Sequence, residues 1–513
     1  DGSLNPSRIL TSQVQRFRLW SNSLTISRSR VLRAAPLALI LMHALTGRLN
    51  RRSLLPTAVC TPGFGVKVDS RWASGDGGGG YKTRRKRARL GTRDNSRLPK
   101  FGAEDAIRDP WISNSGGNSN SSLKNANGKG KASKKTNQTD VVVAVLGCLH
   151  GELTQAYKAI RTASKMANVS VDLVLVTGDF QAVRNSADLA SMSVPQKYRH
   201  LRDFHLYHSG RKKAPYLTVY IGGNHEASNY HAELPAGGWV APNIYYMGHC
   251  GILRFGGLRI VGSSGIFNYH HYESNRMEEF PLKSNHLRSI YHVRESEIER
   301  LIQAANADSN EVDILLTHDW PRGVAEYGDI KDLLKRKPYF KAEVRNGVLG
   351  SPAAARLLNA LRPRFHFSSH LHVKFAAEIP ESVCLNHTNK TTGGESPVKR
   401  GRSTKFLALD KVLPGRGFLQ LLSIEPNKTK NARTNTSTPL QLHYDPAFLQ
   451  TLSNFYNGKD TKLVHPIIIP QNFEATAPSS LPDGMGPSPL PERTNPQALA
   501  MANLLGAEDM RYS

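Results

Sequence analysis

Residues 216–226 constrain the fold more than any other part of the 513-residue chain. The first six, 216–221, are apolar, β-branched or aromatic, which predicts a buried strand. Two glycines then let the backbone turn sharply where the strand ends. Asn224 and His225 follow at once, so an amide oxygen and an imidazole should leave the edge of a sheet together. The pattern predicts a strand whose end carries metal-ligand or catalytic side chains.

Four other predicted strands end in side chains of the same kind. In chain order, 141–146 precedes Cys148 and His150, 171–177 precedes Asp179, 312–317 precedes His318, and 365–369 precedes His370 and His372. Each instance alone is typical of an ordinary core or surface residue. In open α/β sheets, however, sites assemble at the carboxyl ends of the strands. Thiolate, imidazole and carboxylate are ligands for zinc or ferrous iron, so five such ends in order predict a metal site.

These motifs resemble those of the calcineurin-like metallophosphoesterases, which read D-x-H, G-D, G-N-H-E, H and G-H-x-H. The chain departs twice, with Cys148 at the usual first Asp and Ser369 at the usual Gly before the last H-x-H. Within that superfamily, the cysteine is expected of the RNA lariat debranching enzymes. Further segments that resemble this branch are 192–200, 237–246, 262–267, 288–294, 318–321 and 404–411. The resemblance extends over about residues 141–452.

The resemblance implies an α/β fold, an αββα sandwich of two mixed sheets with flanking helices and a small C-terminal appendage. It also implies two divalent metal ions that share Asp179 and a bridging hydroxide. One ion would use Cys148, His150, Asp179 and His372, and the other Asp179, Asn224, His318 and His370. The cysteine favours Zn²⁺ or Fe²⁺, with Mn²⁺ left open. The implied activity is hydrolysis of the 2′-5′ phosphodiester at the branch point of excised intron lariat RNA, which gives linear intron RNA for turnover.

Two further roles follow from the resemblance. His225 would protonate the leaving oxygen or hold a phosphate oxygen, although structural support of the Asn224 turn is the alternative. Residues 183–214, called the insert below, would recognise the lariat. Its substrate-binding candidates are Lys197, Tyr198, Arg199, His200, Lys212 and Lys213. Basic side chains hold phosphates and aromatic rings stack on unpaired bases, whereas a solvated loop is the simpler interpretation.

The predicted organisation places a catalytic domain at 140–380, a variable loop at 381–403 and a C-terminal domain at 404–465. Residues 1–139 hold 26 Lys and Arg against 7 Asp and Glu, whereas the rest holds 42 against 34. Their composition predicts a disordered basic extension, and the Pro- and Ser-rich residues 466–513 predict a disordered tail. Four cysteines give no disulfide framework, and a reducing compartment is the default.

The basic run 84–89 indicates a nuclear address or a nucleic-acid tail, although an organelle transit peptide would have a similar composition. The apolar run 34–45 is too short to cross a bilayer. We therefore expect a nuclear protein without a membrane span. Its expected partners are branched RNA and proteins of splicing or intron turnover.

Two rival functions fit parts of the sequence. Another phosphoesterase of the superfamily, such as a nuclease or a protein phosphatase, would share the ligand motifs, but Cys148 and the basic insert argue against it. A metal-free scaffold on the same fold, as in a retromer subunit, is the rival from another class. Scaffolds of that kind are expected to lose ligands, whereas every ligand position here holds a residue that can bind a metal.

Overall fold

The chain is described by a computed structural model that covers residues 102–111, 140–279, 282–385, 402–426, 440–457, 469 and 495–505. Most of the predicted N-terminal extension, of the variable loop and of the C-terminal tail therefore lies outside the described residues. Within them, no helix is both long and apolar enough to cross a bilayer.

The strands of the described residues are short and mostly buried on both faces. In chain order they are β1 (Val141–Leu146), β2 (Leu173–Val176), β3 (Thr218–Tyr220), β4 (Gly238–Ala241), β5 (Ile244–Tyr246), β6 (Cys250–Phe255), β7 (Leu258–Ser263), β8 (Ile314–Thr317), β9 (Phe365–Ser368), β10 (Phe375–Ile379), β11 (Thr404–Ala408), β12 (Leu419–Ile424) and β13 (Leu442–Tyr444).

The α-helices lie between these strands and at the C-terminal end of the described chain. They are α1 (Leu153–Ala167), α2 (Ser186–Ala190), α3 (Phe204–His208), α4 (Ser228–Ala232), α5 (Tyr269–Tyr272), α6 (His286–Ser289), α7 (Glu295–Ala307), α8 (Ile330–Arg336), α9 (Lys341–Arg345), α10 (Pro352–Leu361), α11 (Pro446–Asn457) and α12 (Pro496–Leu505). Short 3₁₀ turns occur at Gln196–Tyr198, Val324–Tyr327 and Pro338–Phe340.

The strands form two mixed sheets, as the sequence predicts. The first has the order β12-β1-β2-β3-β5-β4, and the second β10-β11-β9-β8-β7-β6-β13. Within the first sheet, β1, β2, β3 and β5 run parallel, while β12 and β4 at its two edges run antiparallel to their neighbours. In the second, β7, β8, β9 and β11 are parallel. All ligand-bearing strands belong to these parallel cores, so their carboxyl ends face the same edge.

The two sheets pack face to face, with helices on their outer faces. In β1, Val141, Val143 and Val145 belong to the core between the sheets, together with Ile314 and Phe367 of the second sheet. The alternate β1 residues belong to the core under α1. Because both faces of the central strands are covered, these strands are unbroken apolar runs and not alternating ones. The αββα sandwich is thereby confirmed.

The strands of the C-terminal appendage are built into both sheets. Strand β11 lies between β9 and β10, and β12 pairs with β1 through the register Val141–Ile424 to Leu146–Leu419. Strand β13 extends the second sheet next to β6. One edge of each sheet therefore depends on residues beyond position 400, because β1 and β6 would otherwise expose unpaired backbone groups there.

Two stretches differ from the predicted disorder. Residues 102–111 pack on the sheets, because Trp111 Nε1 donates to the Phe406 carbonyl at 2.9 Å and Gln420 Nε2 donates to the Ala106 carbonyl at 3.0 Å.

The second stretch is α12, which lies in the predicted tail. Its Ala, Leu and Met residues favour a helix, and its first residue is a proline, which suits the first position of a helix. The side chain of Gln497 exchanges two 2.7 Å hydrogen bonds with the backbone of Trp239 in β4. Gln497 therefore covers the edge of the first sheet.

Candidate metal centre

Four of the predicted ligands come together where β1, β2 and β9 end. The ligand atoms of Cys148, His150, Asp179 and His372 all lie within 4.8 Å of one another. The two Nε2 atoms of His150 and His372 are 3.1 Å apart, and His150 Nε2 is 3.6 Å from Asp179 Oδ2. This set is the first ligand group. Its members match the predicted first metal position residue for residue.

The other predicted ligands meet on the opposite side of Asp179. His318 Nε2 lies 3.3 Å from Asp179 Oδ1 and 3.2 Å from Asn224 Oδ1. The rings of His318 and His370 have centroids 5.0 Å apart. These four residues are the second ligand group. Each oxygen of the Asp179 carboxylate faces a different group, so one carboxylate can serve two cations.

The backbone at the ligands is strained. His150, Asp179, His370 and His372 have φ values of 47°, 50°, 57° and 50°, a left-handed conformation that non-glycine residues rarely adopt. Such conformations cost about 1–3 kcal/mol each and persist at functional sites because the surrounding structure holds them. Gly223 is required for a different reason, since a Cβ there would lie 2.3 Å from Asp179 Oδ1.

Hydrogen bonds orient the imidazoles. His318 Nδ1 donates to the Thr177 carbonyl at 2.7 Å, which leaves the lone pair of Nε2 facing Asp179 and Asn224. Ser369 Oγ donates to the same carbonyl at 2.8 Å. The hydroxyl of Ser369, at the position where the superfamily usually has glycine, therefore joins the ends of β2 and β9 behind the second ligand group.

Burial and mutual charge set the protonation of the ligands. Burial lowers the pKa of His150 to about 4 and that of His372 to about 2, so both imidazoles are neutral near pH 7. Burial also opposes ionisation of Asp179, but His318, His225 and His150 outweigh it and hold the pKa of that carboxyl well below its usual range. Burial raises the pKa of the Cys148 thiol well above its ordinary value, with the Asp179 charge acting in the same direction.

A second buried carboxyl lies beside the ligands. Glu226 accepts hydrogen bonds from the backbone N–H groups of Phe180, Gln181 and Gly223 at 2.7–2.9 Å. Burial and the nearby Asp179 raise the pKa of Glu226 to about 8 despite these three donors. Glu226 therefore fixes the loops after β2 and β3, and its carboxyl is largely protonated near pH 7.

These features fit divalent cations. Two imidazole nitrogens face each other at 3.1 Å, and one thiol and two carboxyl groups are buried around them, so a cation would relieve both lone-pair and charge repulsion. The mixed sulfur, nitrogen and oxygen donors suit a borderline metal in the first group. The metallophosphoesterase fold itself implies divalent metal ions.

His225 lies at the open side of the centre. Its side chain is 34% exposed, against 20% for His150 and 2% for Asp179. Its Nδ1 is 4.0 Å from Asp179 Oδ2, and its ring centroid is 5.2 Å from that of His150. The backbone N–H of His225 donates to Asp179 Oδ1 at 2.9 Å. His225 can therefore reach a bound molecule while its backbone is held by the shared carboxylate.

The insert borders the centre through two half-buried residues, Ser193 and Asp203. Asp203 accepts from the backbone N–H groups of Leu153 and Thr154, directly after the His150 loop, at 3.1 and 2.7 Å. Ser193 Oγ is 3.4 Å from the hydroxyl of Tyr291, and burial raises the pKa of that tyrosine, with the Asp179 charge acting in the same direction. The insert therefore contacts the structure on more than one side of the ligands.

The structure separates the six candidate residues of the insert into two places. Lys197, Tyr198, Arg199 and His200 lie in and after the 3₁₀ turn at Gln196–Tyr198, whereas Lys212 and Lys213 lie on the return to β3. Of these, Lys197, Tyr198, His200 and Lys213 are exposed, and Arg199 and Lys212 are half-buried. Lys197 Nζ lies 4.8 Å from the Tyr198 ring centroid.

Sequence reasoning missed some supporting residues. The Gln181 side-chain amide lies 3.2 Å from Nδ1 of His150. Ser369 and Glu226 belong to the sequence motifs, but the sequence assigns neither of them a role. Glu226 had a signal, because it directly follows Asn224 and His225 in the quoted motif. Gln181 had none, because its contact with His150 depends on a left-handed backbone at both residues.

Comparison with known proteins agrees with this geometry. Residues 141–374 match the calcineurin-like phosphoesterase family, and residues 401–464 match the C-terminal domain of lariat debranching enzymes. The human lariat debranching enzyme is 51% identical over 310 residues, which cover 60% of this chain and 53% of that protein. The chain thus spans about half the length of the human and mouse relatives it matches.

Two other relatives are matched over more of their length. Lariat debranching enzyme A of Xenopus laevis is 43% identical over 400 residues, 72% of this chain and 70% of that protein. The Arabidopsis thaliana lariat debranching enzyme is 40% identical over 387 residues, 71% of this chain and 86% of that protein. Residues 141–374 include both ligand groups, and more than two thirds of each of these two relatives is matched. The chain therefore belongs to the lariat debranching enzyme family.

Proposed function

We propose that this chain is a metal-dependent phosphodiesterase that hydrolyses the 2′-5′ phosphodiester at the branch point of intron lariat RNA. The observation that carries the proposal is the convergence of Cys148, His150, Asp179 and His372 within 4.8 Å, with a cysteine where other metallophosphoesterases have aspartate. Membership of the lariat debranching enzyme family supports the substrate. The products would be linear intron RNA with a 5′-phosphate and a free 2′-hydroxyl on the branch nucleotide.

The two ligand groups would each hold one divalent ion. The first group offers one thiolate, two imidazoles and a carboxylate oxygen, and the second offers an amide oxygen, two imidazoles and the other carboxylate oxygen. When bound, such ions polarise phosphoryl oxygens and supply an activated water. Fe²⁺ or Zn²⁺ suits the thiolate of the first group, whereas Mn²⁺ suits the second group better because that group has no sulfur.

His225 would act on the leaving oxygen. Hydrolysis forms a bond between phosphorus and the water oxygen and breaks the bond between phosphorus and the 2′-oxygen, which must gain a proton. The His225 side chain is 34% exposed, against 20% for His150, and the centroids of these two rings are 5.2 Å apart. It can donate that proton or hold a phosphoryl oxygen while Asp179 fixes its backbone.

The insert would hold the RNA around the branch. Its cations Lys197, Arg199, Lys212 and Lys213 can contact phosphates, and the exposed ring of Tyr198 can stack on a base. His200 is exposed beside them. A branched nucleotide carries one linkage that linear RNA lacks, so a bordering surface of this kind can admit the branch and keep 3′-5′ linkages away from the ligand groups.

The test compares two RNAs with the same purified protein. Branched RNA should be cleaved at the 2′-5′ linkage only, while linear RNA of the same sequence should stay intact, and metal content should be measured on the same sample. Cleavage of both RNAs at similar rates would instead indicate a nuclease of the same superfamily. A protein that cleaves neither, with no bound metal, would favour a binding scaffold.

A nuclear location and protein partners belong to the same proposal. The run Arg84-Arg85-Lys86-Arg87-Ala88-Arg89 is the sequence basis for nuclear import. Proteins of splicing or intron turnover are the expected partners, because they handle the same RNA. Replacing the run with glutamines in a fluorescently tagged protein should move the signal from the nucleus to the cytoplasm. An unchanged nuclear signal would contradict the assignment of this run.

A further inference from the structure

A branched RNA has three strands that leave one nucleotide, and the insert is one surface beside the ligand groups. A different surface begins at the loop that follows β11. The backbone N–H of Val412 donates to the Cys148 carbonyl at 3.0 Å, so this loop is fixed directly to a member of the first ligand group. A Cβ at Gly147 would lie 2.1 Å from the Asp410 carbonyl oxygen, which shows how closely the two segments approach.

Lys411 brings a positive charge to the first ligand group. It is half-buried and stands between Asp410, whose carbonyl oxygen closely approaches Gly147, and Val412, whose N–H donates to the Cys148 carbonyl. Its own backbone N–H donates to Asp410 Oδ1 at 2.7 Å. Lys411 therefore belongs to a loop that is fixed to the first ligand group.

Lys337 continues this positive surface away from the centre. Phe340, three residues further along, packs in one core with Val373, which directly follows His372, and with Ala408 at the end of β11. The segment that contains α8 and α9 is therefore joined through this core to the chain that carries Lys411 and the first ligand group.

Tyr339 presents an open aromatic ring on the same segment. The residue is 64% exposed, whereas the neighbouring Phe340 is 5% exposed and packs in the core beneath. The two rings meet edge to face with centroids 4.6 Å apart, and Lys337 Nζ lies 5.8 Å from the Tyr339 centroid. Phe340 therefore anchors a ring whose exposed side can receive a planar ligand.

The segment is strongly basic. Residues 331–345 contain 6 Lys and Arg against 2 Asp and Glu, a net +4 out of the net +8 of residues 140–513. Among the described residues, the salt bridges of this segment comprise a single pair, between Arg336 and Asp332. Half of the net charge of residues 140–513 therefore lies on one short segment, whose lysine side chains are available to anions.

We infer that Lys411, Lys337 and Tyr339, together with the adjacent Lys341, form a binding surface for one single-stranded arm of the branched RNA. The lysines hold successive phosphates, and the Tyr339 ring stacks on an unpaired base. The inference rests on the proposed function and adds to it a second RNA surface, distinct from the insert. It predicts that the length of one arm affects substrate binding.

The test uses two branched RNAs that differ in arm length. One has arms of about ten nucleotides, within the range that single-strand sites cover, and the other is trimmed to about one nucleotide per arm. The variants are Tyr339→Ala and the double variant Lys337→Gln with Lys341→Gln. The matched control is Lys158→Gln with Lys165→Gln, which removes two exposed lysines from α1. A small aryl phosphodiester reports on the metal centre alone.

With the long-armed RNA, Tyr339→Ala should raise KM by about tenfold and leave kcat unchanged, because one stacked base is lost. The double lysine variant should also reduce the slope of log affinity against log salt by about 1.4, since two phosphate contacts to a single strand are removed. Both variants should match the wild type on the trimmed RNA and on the small diester, and the α1 control should match it on all three.

Three outcomes would overturn the inference: equal losses on long and trimmed RNA, a loss on the small diester, or wild-type values throughout. A loss in the α1 control equal to that of the double lysine variant would also overturn it, because the effect would then be one of total charge. A wild-type protein that leaves both branched RNAs intact would overturn the proposed function itself, so the two failures can be told apart.

Discussion

The two ligand groups and the insert hold their functional side chains in opposite ways. The ligands are fixed from all sides, since Asp179 is 1% exposed and His318 fully buried, and four of the ligands have left-handed backbone. In the insert, the anchor Asp188 is 1% exposed, whereas the proposed RNA contacts are exposed or half-buried, with Tyr198 at 46%. The fold therefore determines the chemistry of the centre atom by atom. For RNA, it determines only where a charged surface lies.

The anchors of the insert show how that placement is achieved. Arg184 contacts Asp188 at 2.9 Å and Glu233 at 2.9 Å, and its guanidinium lies 3.8 Å from the Tyr230 ring centroid. Asn495, just before α12, donates to the same Glu233 at 3.3 Å. Damage to the ligands should therefore affect every substrate, whereas damage to the insert should affect RNA alone.

The largest effect is expected for Asp179→Ala. Because each oxygen of Asp179 faces a different ligand group, the variant should lose both metal ions and fall to background activity on branched RNA and on a small aryl phosphodiester alike. Metal content by mass spectrometry and rates on both substrates are the measurements.

The matched control for this variant is Asp172→Asn, at the opposite end of β2, where the carboxylate accepts from the Val142 N–H at 2.8 Å. It should keep both metals. Retention of two tightly bound ions in Asp179→Ala would contradict the assignment of Asp179 as the shared ligand.

Cys148 should give the next largest effect, confined to the first ligand group. Serine is close in size but a poorer ligand, so Cys148→Ser should bind about one metal ion where the wild type binds two, and should lose most activity on both substrates. Cys148→Asp should keep the fold and bind Mn²⁺ but hold Zn²⁺ or Fe²⁺ less tightly at this position. Native metal content with full activity in the serine variant would show that Cys148 only fills space.

The same thiol makes the centre sensitive to oxidation. Mild peroxide should inactivate the wild type faster than Cys148→Asp, because an oxidised thiolate no longer ligates normally. Cys384 is the exposed cysteine of the described residues, so both proteins should carry Cys384→Ser to remove its contribution. Equal inactivation rates in the two proteins would exclude Cys148 as the sensitive site.

An intermediate effect is expected when the anchor of the insert is removed. Arg184→Met leaves the carboxylate of Asp188, which is 1% exposed, without its cation, and breaking a buried pair costs about 3–5 kcal/mol. The protein should melt at a lower temperature, and kcat/KM on branched RNA should fall about tenfold or more if the insert moves by about 1 Å.

The small diester separates the insert from the metal centre in this variant, because its hydrolysis needs only the ligand groups. Below the melting transition, Arg184→Met should hydrolyse the small diester at the wild-type rate. A proportional loss on both substrates would mean that the insert supports the ligand groups directly.

The fold class and the convergence of the ligands could be predicted from local sequence. The strands are covered on both faces, so they appear as unbroken apolar runs, and parallel strands deliver their last residues to one edge. These signals lie within a few residues of one another. The runs at 141–146 and 365–369 therefore located two of the ligand-bearing ends without knowledge of any contact.

What could not be predicted depends on contacts between distant residues. The stretch around Gln497 has a composition that favours a helix, but its two hydrogen bonds to Trp239 join residues 258 positions apart. The hydrogen bond from Val412 to Cys148 likewise joins residues that are far apart in the sequence. The predicted appendage is part of both sheets because partner strands are chosen by tertiary packing, which no local pattern of β11 or β12 encodes.

The smallest effect is expected for Lys212 and Lys213 of the insert, and it tests the contrast with the ligand groups most directly. Lys212→Gln combined with Lys213→Gln should weaken binding of branched RNA and reduce the salt slope by about 1.4, since about 0.7 is lost per single-strand phosphate contact. Hydrolysis of the small diester should be unchanged, because the ligand groups are untouched.

The single variants should differ, because the two lysines are held differently. Lys212 is half-buried, and its Nζ donates to Thr154 Oγ1 at 2.9 Å, whereas Lys213 is exposed. A pre-positioned ammonium loses less side-chain entropy when it binds a phosphate, so Lys212→Gln should weaken RNA binding more than Lys213→Gln while each lowers the slope by a similar amount. Binding measured by fluorescence anisotropy across a salt series separates the two quantities. Identical affinities for the two single variants would show that the contact with Thr154 does not position Lys212 for RNA.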